Sequence, residues 1–486
     1  DVYKRQGRAP LTVNFTDKST AAGSIVSWQW DFGDGSTSTD QNPTHNYSNP
    51  GWYTVRLTVS DGTSSDTCVK EKYILVADDI YYVNGLNGDD TNSGISWSNA
   101  FRTVWKGLEV AGDYDLVLVA DATYLEWDLD FKGKKVCLKG VDHNTPGQRP
   151  VIDCQEAGRA FYFVSGETED SVIDNFVIQN GRIEDTYGGA ILCQNNSSPT
   201  IKNCVFQKNK TEDKDVRRGE EYGGAIYCNP SSPTVVNCIF SNNSASLSGG
   251  AIFCDSSAPS IRNCTFCGNS GRCGGALYCY NSSNAEVVDC TFSGNSANSD
   301  GGAIYCYLNS TPTITNCTFS GNSATSYGGA IYCDYASLTI TNCVFGGNSA
   351  KNYNGGAVDC CHADLSITNC TFSSNTANWR GGAIYCYSTS AALNNCILWG
   401  NSAGGSGKEI YIYDPGSSST LNYSCVDNTG YGGWTGNITE NNCIYDEPRF
   451  VDAANGDYHL QDTSPCIDAG DNSLLPAGVT EDLDGN

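Results

Sequence analysis

The chain has 486 residues, enough for two or more domains, and sets 28 Lys+Arg against 54 Asp+Glu for a formal charge of −26. A surface this acidic repels a phosphate backbone and carries no basic amphipathic helix for an anionic membrane, which speaks against nucleic-acid and membrane-surface partners. No apolar run approaches the ~18 residues of a membrane-spanning helix. The composition is unusual, with 25 Cys, 53 Gly, 28 Tyr, 4 His and no Met.

Residues 8–77 read as short alternating strands parted by turn residues: Leu11–Phe15, then Trp28–Phe32, then Tyr53–Val59. Asp34-Gly35 suits a tight turn, and Trp30 and Phe32 can fill a sandwich core. Asp31 and Asp34 either close turns or touch a cation, and turn closure is the expectation. The run WDFGDG at 30–35, with Pro43-Thr44-His45-Asn46-Tyr47 and Gly51-Trp52-Tyr53-Thr54-Val55, resembles the PKD domain. That resemblance implies an immunoglobulin-like β-sandwich that serves extracellular proteins as an accessory module.

Residues 78–180 are expected to cap a solenoid and to form its first coils. Phe101, Val104, Trp105 and Leu108 sit at helical spacing, which predicts an amphipathic helix covering the open end. Strands are expected at Ile80–Val83, Leu116–Ala120, Val136–Lys139 and Phe161–Val164. Asp89 and Asp90, in a Gly/Asn/Asp loop, are candidate calcium ligands because clustered carboxylates and amides offer oxygen donors; a solvated turn is the competing reading.

From 181 to 445 one unit recurs. Gly-Gly pairs begin at 188, 223, 249, 274, 301, 328, 355 and 381, about 26 residues apart after a longer first interval that holds a charged insertion, Lys208 to Glu221. Gly, Ser, Asn and Thr dominate, with short β-type runs, so two or three short strands per coil are expected rather than leucine-rich or helical repeats. In Ala303-Ile304-Tyr305-Cys306, alternation turns Ile304 and Cys306 to the core and Tyr305 outward. Asn316 is expected at a bend, in a column able to form an amide ladder. Sixteen of the 25 Cys fall in two columns, one running from Cys193 to Cys386 and the other from Cys204 to Cys396. Stacked buried thiols are expected over disulfides, because neighbouring coils hold their Cβ vectors parallel.

The outward column supplies candidate ligand-binding residues: Tyr227, Phe253, Tyr278, Tyr305, Tyr332 and Tyr385, flanked by Tyr280, Tyr307 and Tyr387. Such a stripe can stack on sugar rings, or can merely stabilise the sheet. Asp359 interrupts it. Asp359, His362, Asp364 and Arg380 are weak catalytic candidates, read first as a solvated surface cluster. No cofactor is called for beyond the calcium named above.

The repeats resemble bacterial right-handed parallel β-helix proteins, including polymorphic outer membrane protein repeats, whose GGAI and FxxN elements match Gly301–Ile304 and Phe319–Asn322. The tail, with Pro448–Val451, Gly456–Leu460 and Ser464–Gly470, resembles the end of choice-of-anchor Q surface proteins and is expected to cap residues 446–486. These resemblances imply an all-β, exported or cell-surface, monomeric protein. The expected function is binding a polysaccharide or another surface glycan, with a pectate-lyase-like lyase or glycoside hydrolase as the alternative. Residues 1–6, DVYKRQ, resemble a translated sequencing adapter, and both natural ends are expected to lie outside this sequence.

Overall fold

The computed structural model describes residues 5–21, 23–212 and 221–476. It divides into two compact units. One runs through Tyr124 and takes in Leu129–Pro150 and Glu167–Asn175; the other holds Leu125–Asp128, Val151–Gly166 and the chain from Phe176. The expected boundary at 180 therefore falls differently, because the cap strands join the sandwich's unit.

In the first unit, Gln6–Arg8, Ser65–Ala77, Gly51–Ser60, Ser27–Asp31 and Thr37–Ser38 form a five-stranded sheet in that spatial order, and Leu11–Asn14 pairs antiparallel with Thr44–Tyr47. Gln6 pairs with Leu75, so the strand begins inside the segment set aside above as adapter-like. Leu11, Val13, Phe15, Trp30, Phe32, Tyr47 and Val55 make the core, as alternation required. Asp31 accepts from the Gly33 N–H and Asp34 from the Ser36 N–H, so both carboxylates close turns; Asp34 also meets His45 at 2.7 Å. The strands Ile80–Val83, Leu116–Ala120, Cys137–Val141 and Val172–Asp174 then pair in parallel.

The helix is shorter than expected, Val104–Val110, capped by Thr103, whose hydroxyl accepts from the Lys106 N–H. Gly107 lets it approach Val83 and Val117 closely. Phe101 is buried ahead of the helix and Trp105 is 52% exposed, so the apolar face is Val104 and Leu108. Asp89 accepts from Thr91, and Asp90 accepts from the Arg102 and Thr103 N–H groups and the Thr103 hydroxyl. Of the two calcium candidates, Asp89 thus closes a turn within its loop and Asp90 ties that loop to the helix start. Among the described residues no group of three or more His, Cys, Asp or Glu side chains is placed to hold a metal ion.

The second unit is a parallel β-solenoid of about 11 turns. A typical coil has four strands, Ile304–Tyr307, Thr313–Thr315, Thr318–Ser320 and Ser323–Ala324, one more than the spacing predicted. Each strand pairs in register with its equivalent one repeat away; Ile304 lies against Ile331 and Cys306 against Cys333. The short Ser-Ala strands build a nine-stranded sheet of their own.

The Gly-Gly pair has two separate causes. Gly301 sits at φ +66°, where a Cβ would lie 2.4 Å from the Ile304 carbonyl oxygen. Gly302 has no such φ, but a Cβ there would lie 2.0 Å from the Gly329 oxygen of the next coil. Asn316 turns its bend at φ +53°, as do Asn203, Asn237, Asn263, Asp289, Asn342, Asn369 and Asn395 at closely similar angles.

Inside, Phe206 to Phe372 stack at 4.6–4.8 Å between ring centres. Both cysteine columns are buried and free. Burial pushes the Cys386 and Cys396 thiols up to about 12, which keeps them neutral at physiological pH. The amide ladder expected at Asn316 exists there on the surface. The buried ladder runs instead through the FxxN residues, Asn209, Asn243, Asn269, Asn295, Asn322, Asn348, Asn375 and Asn401. It ends on the carboxylate of Glu409. Of the charged insertion, residues 213–220 lie outside the described residues, as do 477–486. No helix among the described residues is long and apolar enough to cross a membrane.

Candidate functional site

The strand that carries the first cysteine column sends one side chain outward between Ile and Cys. These rings do not form an open stripe. Tyr227 and Phe253 are 3% exposed, Tyr385 6% and Tyr278 8%. Tyr227, Phe253 and Tyr278 pack on one another and on Tyr187 and Tyr222, with Tyr227 to Phe253 at 5.5 Å and Phe253 to Tyr278 at 5.0 Å, and Tyr385 stacks on Tyr411 at 5.6 Å. Tyr305, Tyr332, Tyr280, Tyr307 and Tyr387 are half-buried. The expectation of an exposed stripe is thus corrected: side chains from the turn before each Gly-Gly pair flank the column and cover its rings.

The column breaks at one place. Asp359 pairs in register with Tyr332 on one side and Tyr385 on the other, where a ring would otherwise stand. The missing ring leaves a pocket of about 430 Å³. Its walls are Tyr327, Tyr332, Tyr335, Trp379, Tyr385, Tyr387 and Tyr413; Asn354, Asp359, Cys361, Asp334 and His362 complete it. The exposed rings gather here too: Tyr335 at 52%, Tyr413 at 46%, Trp379 at 45%, and Tyr353, stacked 5.0 Å from Tyr327, at 42%. Tyr413 continues the column of Tyr280, Tyr307 and Tyr387, whereas Tyr335, Trp379 and Tyr353 stand outside the columns read from the repeat, which therefore missed them. Their available signal was aromatic residues at turn positions beside the repeat's strands.

The electrostatics of the pocket are unusual for a solenoid whose other coils carry few charges. Asp359 is fully buried, which corrects its reading as a solvated surface residue. Cys361 Sγ lies 3.5 Å from Asp359 Oδ1, and Asp359 Oδ2 has no partner. Burial, helped by Asp300 and Asp334, holds its carboxyl well above the usual carboxylate range. Asp334 is raised by burial and drawn back by His362, whose Nδ1 stands 3.5 Å away. His362 stacks on Tyr335 at 4.3 Å and meets Tyr387 edge-on. Arg380 lies over Trp379 at 4.0 Å, Tyr411 at 4.9 Å and Tyr413 at 5.9 Å. Asp364 is exposed and shares with His362 and Tyr335 a shallower adjoining groove. Of the four weak catalytic candidates, Asp359 and His362 thus meet in the pocket, Arg380 backs its ring wall, and Asp364 stands outside it.

A pocket walled by rings and floored by a buried acid can stack on a sugar face and exchange hydrogen bonds with hydroxyls or amines. Its raised carboxyls could also serve as proton donors.

Comparison with known proteins places these features. The model of the PKD domain matches residues 4–76, that of the right handed beta helix region residues 170–272 and 302–466, and that of the Chlamydia polymorphic membrane protein repeat residues 289–307. Among curated proteins, collagenase ColA of Bacillus cereus is 45% identical over 153 residues, 31% of this chain and 14% of that protein. The microbial collagenase of Vibrio alginolyticus is 36% identical over 88 residues, 18% of this chain and 10% of that protein. The chain therefore spans only a small part of the curated relatives it matches. Among solved structures, pectate lyase Pel9A is 14% identical with a TM-score of 0.33, covering 84% of this chain and 96% of its own. The catalytic unit of a GH87 α-1,3-glucanase from Streptomyces thermodiastaticus is 14% identical with a TM-score of 0.33, covering 88% and 89%. The β-helix model takes in more than half of the residues, and the chain belongs to the right-handed β-helix family, with a PKD domain at its N-terminal end.

Proposed function

We propose that this is an extracellular or cell-surface protein that binds a saccharide in the aromatic pocket around Asp359. The observation that carries the reading is the pocket at Asp359, where a ring is missing from the column and the exposed rings Tyr335, Trp379 and Tyr413 stand together. Rings kept only to stabilise the sheet would be covered, as those from Tyr227 to Tyr278 are. Exposed aromatic patches on a soluble surface commonly mark binding sites, and flat rings suit the apolar face of a pyranose. The PKD domain, a module of extracellular proteins, supports the location. Affinity electrophoresis in gels cast with plant and microbial glycans tests it: retardation in at least one glycan is expected, and unchanged mobility in all of them removes the claim.

One observation favours a second reading, a polysaccharide lyase or glycoside hydrolase. Asp359 and Asp334 are both raised carboxyls beside His362 in a cleft, an arrangement that suits acid–base work on a glycosidic bond. Incubation with neutral glycans and uronate polymers, followed by assay for new reducing or unsaturated ends, separates the readings. New ends that vanish in Asp359→Ala favour the enzyme.

A further inference from the structure

We propose, building on the saccharide reading, that the pocket selects a sugar bearing a protonated primary amine, such as the glucosamine unit of a deacetylated glycan. Two buried acceptors on its lining lack partners, Asp359 Oδ2 and Asn354 Oδ1, and these residues are 0% and 5% exposed. Orphaned buried acceptors are costly, and a ligand that donates to both relieves that cost. An ammonium offers three N–H donors and a charge, whereas a hydroxyl offers one donor and no charge.

The walls suit the same charge. Tyr332, Tyr385 and Trp379 line the pocket with aromatic rings, which attract a cation, as the Trp379 ring does the Arg380 guanidinium 4.0 Å away on that wall. The lining itself contains no lysine or arginine. Asp334 lies in the pocket, and Asp300 lies close enough to act on Asp359, so a uronate would bring a further carboxyl towards acids that already repel one another. Over the whole chain the formal charge of −26 attracts a cationic polymer and repels a polyuronate. Burial raises the Asp359 carboxyl, and an ammonium beside it would favour the ionised form, which accepts at both oxygens.

The test is calorimetric titration of the full chain at pH 6, where an alkyl amine is charged, with three trisaccharides: free-amine glucosamine, its N-acetylated counterpart and galacturonate. The free-amine sugar is expected to bind at least ten-fold more tightly than the N-acetylated one, with no heat from the uronate. Asp359→Tyr, which restores the ring that other coils carry, is expected to abolish binding with its circular dichroism unchanged. If that variant does not fold, Asp359→Asn replaces it and is expected to weaken binding at least ten-fold. Equal affinity for amine and acetylated sugars, or tighter uronate binding, overturns the amine selectivity and leaves the saccharide reading standing. Unchanged amine binding in a folded variant places the ligand elsewhere and overturns the proposal. No heat with these sugars and no retardation in any glycan gel removes both readings.

Discussion

Single residues carry the solenoid by filling places that tolerate no other side chain. Asn322 donates to the Phe292 carbonyl and to Asn348 Oδ1, and accepts from the Asn295 N–H and side-chain amide, all at 2.9–3.0 Å and all buried. Asn322→Ala strands those groups without water, and a loss of about 3 kcal/mol or more in urea unfolding is expected. Gly302→Ala is expected to cost at least as much, because the new methyl meets the backbone of the next coil rather than a movable side chain. Asp359 behaves in the opposite way. Its buried carboxyl has one weak thiol partner where a stacked tyrosine would fit, so Asp359→Tyr should raise stability by about 1–3 kcal/mol. A lower melting temperature for that variant would show that the gap in the column serves the fold and not a ligand.

At the scale of the element, the columns decide behaviour. The Asn ladder ends on Glu409, whose carboxyl burial pushes up to about 7 from its ordinary 4.5. An acid with a raised folded pKa is stabilised in its protonated form. Its contribution is therefore complete below about pH 4.5 and is lost as pH rises through 7. The loss is on the order of 3 kcal/mol, and it should appear as a pH slope present in the wild type and absent in Glu409→Gln. The cysteine columns make a separate prediction. Thiol titration of the denatured, unreduced protein should find the sixteen column cysteines free, since the structure holds them as stacked neutral thiols. A reading of only a few thiols would mean that neighbouring coils are cross-linked.

For the whole molecule, stability is shared between neighbouring coils. Each coil of the solenoid pairs with the one before and the one after, so the inner coils are held on both sides and the last on one. Hydrogen exchange should therefore be slowest in Ile304–Tyr307 and Ile331–Asp334 and much faster in Ile438–Asn441, which ends its sheet. Uniform protection along the solenoid would contradict a nearest-neighbour scheme. On the proposed reading, the acidic surface draws a cationic glycan at long range, and its affinity should fall as salt rises.

The sequence by itself determined the coil. The period of the Gly-Gly pairs, the alternation that buries Ile304 and Cys306, the bend at Asn316 and the sandwich core of Trp30 and Phe32 were legible. Each follows from local rules, namely strand alternation, left-handed tolerance and repeat stacking, that act within one unit and its neighbour. The tertiary structure decided what lies over the columns. Whether Tyr278 faces water depends on residues such as Tyr222 and Cys273 from other coils packing across it, and no pattern within one repeat reports that. For the same reason the buried ladder fell to Asn322 and its equivalents rather than Asn316, since both recur with equal regularity and only depth tells them apart. Asp359 was visible from the start as a break in a column. That this break is a ring-walled pocket with a buried acid at its floor follows from Tyr335, Trp379 and Tyr413, which come from different coils and meet only when the coils are stacked.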